Sequence, residues 1–201
     1  MDEKAKSRRR ASSDRRREIT VAALDCLIQH GYAGLTARRV AGRAGISLGH
    51  LTYHFTNMEE VMVETWRLAA DRLTTCAPLG EMTGLSTTER FAKFLQSVYA
   101  PETLTPDTIR LRLDLWSAAQ EMPAVAEIER ALYDARAAQI EAHLTAISDP
   151  WKTGRIPAVQ AFVMATLDGL WLDYMRHKDI ESIDAAIDAC ALFAKMRLGG
   201  S

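Results

Sequence analysis

Apolar side chains recur along this chain at intervals of three and four residues, and alternating β-branched runs are absent, so the pattern predicts one helix after another. Ile19, Ala23, Cys26, Leu27 and His30 mark the stripe of a first helix that starts near Ser13 and stops at Gly31. Val40, Ala41 and Ala44 form the apolar face of a short second helix. Gly45 suits a left-handed exit from it, and Ser47 can cap a third helix, Leu48 to His54. Asn57 opens a longer fourth helix running to about Cys76, with Glu59 and Glu60 in its first turn and Val61, Thr65, Trp66, Leu68 and Leu73 as its apolar positions.

Pro78, Gly80 and Gly84 then break the pattern, and Ser86-Thr87-Thr88-Glu89 opens a helix to Tyr99 with the Ser-x-x-Glu form of a capping box. Pro101 and Pro106 precede a helix from Asp107 to Glu121 that carries Ile109, Leu113 and Trp116 at helical spacing, and Pro123 precedes another from Ala124 to about Ile147. After a loop from Ser148 to Pro157, the stretch from Ala158 to Leu172 has only Gln160, Thr166 and Asp168 as polar side chains. A helix so apolar is expected to be buried on nearly every side. Ser182 caps a final helix whose stripe of Ile183, Ala186, Ile187, Cys190, Ala191 and Ala194 suits close helix packing. The expected fold is all-α, with about nine helices.

Composition sharpens this picture in one respect. Net charge is only −1, yet residues 1–56 carry 11 Lys/Arg against 5 Asp/Glu, while residues 57–201 carry 14 against 21. A basic first quarter on an acidic body is the charge pattern of a nucleic-acid binder, because phosphate neutralisation supplies most sequence-independent affinity. Residues 1–14, with Lys4, Lys6 and Arg8-Arg9-Arg10, show no apolar periodicity and are expected to form a flexible basic arm. Arg15, Arg16 and Arg17 would sit in the first turn of the first helix, where cations oppose the helix dipole and so point to a phosphate partner. Cys26, Cys76 and Cys190 lie far apart, without the spacing of a disulfide framework or a zinc site, which fits reduced thiols in the cytoplasm. No apolar run reaches the roughly 18 residues of a membrane span.

The segment Thr36 to Phe55 organises the rest. Two short helices joined at Gly45 have helix-turn-helix spacing, and the second presents Gly49, His50, Thr52 and Tyr53, small or hydrogen-bonding groups of the kind a major-groove reading helix offers. Thr36, Val40-Ala41, Ala44-Gly45, Ser47, Gly49, Leu51 and His54-Phe55, followed by a helix with an acidic first turn, resemble the signature of the tetracycline-repressor (TetR) family of bacterial transcription regulators. Leu115-Trp116 to Met122-Pro123, with Leu167-Asp168-Gly169-Leu170-Trp171, is similar to the C-terminal domain typified by the betaine-pathway repressor. The resemblance implies a helix-turn-helix domain over residues 15–57 and an effector-binding and dimerisation domain over residues 58–201. It also implies a homodimer that binds a palindromic double-stranded operator and releases it when a small molecule enters the body. By position, Ser47, Leu48, Gly49, His50, Thr52, Tyr53 and His54 fall in the DNA-contacting segment, with Thr36 capping the second helix at the backbone. Thr52 stands where the family often has an aromatic and Met58 where it usually has Lys, which shifts backbone anchoring towards Arg16, Arg38 and Arg39.

His50 and His54 have a metal-capable spacing, but His-Leu-Thr-Tyr-His lacks the general-base Glu of a zinc hydrolase and any identifiable third ligand, so no metal, cofactor or catalytic group is expected. Trp66, Trp116, Trp171 and Tyr174 are candidate effector contacts, because aromatic faces attract apolar or cationic ligands. Asp168, three residues from Trp171 on one helix face, is a candidate for attracting a cation, since a carboxylate in an apolar helix needs a partner. Phe162, Leu170, Ile187, Cys190, Ala191 and Ala194 are the candidate dimer contacts of a two-fold four-helix interface. Two other readings remain open on sequence alone: a helical assembly protein without ligand response, and a small helical enzyme. The second lacks a nucleophile motif, a phosphate loop or paired carboxylates.

Overall fold

The computed structural model describes residues 2–74 and 82–199. Among these residues the elements are helices alone: α1 (Asp2–His30), α2 (Ala37–Arg43), α3 (Leu48–His54), α4 (Met58–Thr74), α5 (Thr87–Val98), α6 (Pro106–Glu121), α7 (Pro123–Ile147), α8 (Ile156–His177) and α9 (Ile180–Leu198), with short 3-10 turns at Tyr32–Gly34 and Pro150–Arg155. The all-α expectation holds. Cys76, Pro78 and Gly80 lie outside the described residues.

The chain divides into two compact units, Met1–Thr74 with Pro106–Arg130, and Thr75–Thr105 with Ala131–Ser201. In the first, α1 packs against α2, α3 and α4. The apolar stripe read from the sequence closes into one core of Ile19, Ala23, Cys26, Leu35, Val40, Leu51, Phe55 and Val61. Met58 packs on its edge, so the position where Lys is usual in the family serves the core here. The turn between α2 and α3 passes through Gly45 at φ 65, a conformation that costs an L side chain strain, and Ile46 N–H closes it on the Ala41 carbonyl at 3.0 Å. α6 belongs to this unit and is tied to the end of α1: Arg110 Nη1 donates to the Ile28 carbonyl at 2.7 Å, and Asp114 Oδ2 accepts from Tyr32 N–H at 3.0 Å.

In the second unit α9 packs against both α5 and α8. Ser86 and Glu89 form the expected capping box at the start of α5. Tyr99, fully buried, donates its hydroxyl to the Leu167 carbonyl. His143 of α7 stacks on Phe94 of α5 with ring centroids 4.7 Å apart.

Four expectations change. α1 begins at Asp2 rather than near Ser13, because no Gly or Pro interrupts residues 2–30 and Ala, Glu, Lys and Arg are good helix formers. Arg15–Arg17 therefore lie in mid-helix, and the argument from an opposed dipole falls away. α9 is capped by Asp179, which accepts from Glu181 N–H at 3.0 Å, and Ser182 lies inside the helix. α8 is not buried all round: Val159, Val163, Met164, Leu167, Leu170 and Trp171 face inward, while Ala158, Ala161, Phe162, Ala165 and Gly169 are exposed.

A candidate nucleic-acid interface

α3 is short, and local bonds define both its ends. Ser47 accepts from His50 N–H at 3.1 Å as the N-cap, and Thr36 does the same for α2 with Arg39 N–H at 3.4 Å. Seven residues with helical hydrogen bonds are too few to hold a helix in isolation, so α3 depends on what its ends and its buried side meet. Leu51 is the buried side. The C-terminal end is held by Arg16 of α1: Nη1 donates to the His54 carbonyl, Nη2 lies 2.8 Å from Glu60 Oε1, and the guanidinium carbon stands 4.2 Å from the Phe55 ring centroid. Glu60 also accepts from Thr56 N–H at 2.7 Å, and Asn57 Oδ1 accepts from Glu60 N–H at 2.8 Å, so the α3–α4 join is capped from both sides. The Thr56 N–H and the Arg16 guanidinium together hold the Glu60 carboxyl below the usual carboxylate range.

The outward side of this pair of helices carries Arg38, Ser47, Leu48, Gly49, His50, Thr52 and Tyr53, all exposed, with Tyr53 at 80%. His54 is half-buried and stacks on His50, centroids 5.3 Å apart, while Tyr53 sits edge-on to His54 at 5.0 Å. Burial, then the neighbouring His50, Arg15 and Arg16, push His54 below its ordinary value, so the imidazole tends to be neutral. Of the arginines read as backbone anchors, Arg38 is exposed and makes no side-chain hydrogen bond or ion pair among the described residues, Arg39 is exposed but donates to the Gly34 carbonyl at 2.8 Å, and Arg16 is turned inward as the α3 latch.

The other candidates distribute as follows. In the first unit Trp66 is fully buried on α4, and its indole Nε1 has no hydrogen-bond partner among the described residues; Trp116 is half-buried on α6. In the second unit Asp168 is half-buried, Trp171 is 4% exposed with its ring 5.5 Å from that of Tyr99, and Tyr174 has the Lys178 ammonium 5.1 Å from its centroid. Ile187, Cys190, Ala191 and Ala194, read as dimer contacts, are buried within the single chain because that stripe of α9 faces its own helical neighbours, and Leu170 is buried likewise. Phe162 is different: it is 45% exposed and packs on Phe193 at 4.3 Å, beside exposed Leu192 and Met196.

Residues 19–65 match the model of the bacterial regulatory proteins of the tetR family, and residues 87–199 match that of the BetI-type transcriptional repressor C-terminal domain. The chain belongs to the TetR family. This TetR-family transcriptional regulator is 23% identical over 193 residues to the HTH-type transcriptional regulator BetI of Cronobacter sakazakii, covering 93% of this chain and 92% of that one. Among solved structures it resembles a transcriptional regulator from Rhodococcus sp. Rha1 with a TM-score of 0.72 at 23% identity, covering 92% of this chain and 98% of that one. It also resembles the multidrug binding protein EbrR complexed with proflavin, with a TM-score of 0.60 at 26% identity, covering 89% of this chain and 98% of that one. The family and these relatives are regulators, which removes the enzyme reading.

Sequence reasoning missed the latch and the tie. The sequence places Arg16 with Arg15 and Arg17 as a phosphate anchor, whereas the structure turns it inward onto His54 and Glu60, and nothing in its spacing distinguishes it from Arg15 or Arg17. Arg112 was also missed: it is 5% exposed on α6 and donates to the Leu73 carbonyl at 3.4 Å. Its signal was present, since Arg112 sits three residues after Ile109 on the same helical face.

Proposed function

We propose that this regulator is a cytoplasmic homodimeric repressor that binds a palindromic operator through α3 and leaves it when a small molecule enters the helical body. The observation that carries the reading is a seven-residue helix capped by Ser47, latched by Arg16 and exposing His50, Thr52 and Tyr53 on one side. Such an element is rigidly presented yet contributes little to its own core, as a reading helix must. Arg38 supplies a phosphate contact, with Arg39 beside it. Dimerisation uses the exposed small and apolar residues Ala158, Ala161, Phe162, Ala165 and Gly169 of α8 with Leu192 and Met196 of α9. An exposed apolar face of that extent on a helix pair is costly in water and is covered by a second copy of the chain.

The effector is a small organic molecule, and cations are the first class to test. The two units offer separate candidates: in the first, the buried Trp66 N–H, without a hydrogen-bond partner among the described residues, and the half-buried Trp116; in the second, Asp168, three residues before Trp171 on α8. EbrR, whose structure was solved with proflavin, a flat aromatic cation, makes that compound the natural first probe. Ligand binding that favours one arrangement of α4 and α6 over another would alter the separation of the two reading helices, and operators read in successive major grooves about 34 to 36 Å apart are sensitive to small changes. In a gel-shift assay, His50→Ala and Tyr53→Ala proteins keep their helical circular dichroism and lose operator affinity; affinity equal to that of the parent protein sinks the assignment of α3.

A further inference from the structure

The reading helix has hydrogen-bonding groups but lacks the side chains that make bidentate contacts with bases. Leu48-Gly49-His50-Leu51-Thr52-Tyr53-His54 contains no Arg, Lys, Asn, Gln, Asp or Glu. The bidentate pairings of Arg or Lys with guanine and of Asn or Gln with adenine are therefore closed to it. Thr52 has already donated its hydroxyl hydrogen to the Gly49 carbonyl at 3.0 Å. What α3 offers at its leading edge is apolar: Leu48, the first helical residue after the Ser47 cap, is 45% exposed, although a leucine gains by burial. The base feature in the major groove that complements an alkyl group is the 5-methyl of thymine.

Gly49 supplies a second, independent observation. It is exposed and has no positive φ, and a Cβ built on it would meet only Ser47 Oγ at 3.9 Å, an ordinary contact. The fold does not require glycine here, and glycine inside a helix is less stable than alanine. What its missing side chain does provide, on the exposed side of α3, is room for another surface to come close to the helix backbone.

Building on the assignment of α3 as the reading helix, we infer that Leu48 reads thymine 5-methyl groups on the major-groove floor and that the bare backbone at Gly49 allows the close approach this contact needs. Specificity in this regulator is thus largely methyl reading, with His50 adding a polar contact.

The test uses the full chain and a duplex selected from random DNA, in which each thymine is replaced in turn by deoxyuridine, a change that removes only the methyl group. At one or more positions affinity falls about fourfold per methyl removed, the value expected for one buried alkyl carbon. Leu48→Ala, at an exposed position, keeps its thermal midpoint and no longer distinguishes thymine from deoxyuridine there. Gly49→Ala melts at the same temperature or a few degrees higher, yet binds about tenfold more weakly because a methyl group now occupies a tight contact. Deoxyuridine substitutions without effect, or an effect that persists in Leu48→Ala, overturn methyl reading; unchanged affinity in Gly49→Ala overturns the close approach. Failure to select any duplex at all is a different result, and removes the DNA-reading role of α3 together with this inference.

Discussion

His143 shows how a single titratable side chain acquires a consequence from its neighbours. Set on α7 against Phe94 and Phe91, with centroids 4.7 and 5.7 Å away, it is pushed below its ordinary value of 6.5 by burial alone. The fold therefore prefers the neutral imidazole, and its contribution to stability is present above the unfolded value and is lost as pH falls through 6.5 towards the folded one. His54 on α3 shifts in the same direction. The thermal midpoint should fall as pH drops below 6.5, and His143→Phe, which keeps the ring stack, should make that fall shallower; an unaltered profile would count against burial as the cause. The sequence shows a histidine near the end of a helix, but nothing in its flanks announces two phenylalanines from a helix fifty residues earlier.

Elements in this protein are joined by a few long side chains, and Arg16 is the clearest of them. One guanidinium reaches the His54 carbonyl at the end of α3 and Glu60 in the first turn of α4, and lies over Phe55 between them. Its planar fork serves several acceptors at once, which a lysine ammonium on a flexible stem does poorly. Arg16→Ala should lower unfolding free energy by about 1–2 kcal/mol, the range for charge-assisted hydrogen bonds that are partly solvated, with Arg16→Lys recovering less than half in urea titrations. Operator affinity should fall in both, since α3 is too short to hold its place unaided. A variant as stable as the parent would show that the latch is dispensable. Helix identity was legible from period and caps: Thr36, Ser47, Asn57 and Ser86 all accept the N–H bonds that their positions imply. Which residues of a run such as Arg15-Arg16-Arg17 turn inward was not legible, because three consecutive identical residues carry no local signal and only α1's rotation against α3 and α4 selects one.

At the scale of the whole molecule, α8 and α9 were the least well read. An apolar helix and a stripe of small residues look alike whether they face their own chain or a second copy, and Ile187, Cys190, Ala191 and Ala194 turned out to be the chain's own core. Phe162, Leu192 and Met196 are left on the outside. Leu192→Glu should therefore keep the helical spectrum while shifting the protein to monomer in sedimentation velocity and weakening binding to a palindromic operator. Ile187→Glu should fail to fold, since an unpaired buried carboxylate costs several kcal/mol. A Leu192→Glu protein that sediments as a dimer would place the interface elsewhere. The amino-acid sequence alone determined the helical class, the helix-turn-helix segment, its caps and the basic-to-acidic division of charge, because period, capping chemistry and composition are local properties. The tertiary structure decided the inward turn of Arg16, the burial of the α9 stripe, the exposed ribbon on α8 and the bond between Arg112 and Leu73. Each depends on which face of one helix meets another distant in sequence, and spacing along a single helix leaves that choice open.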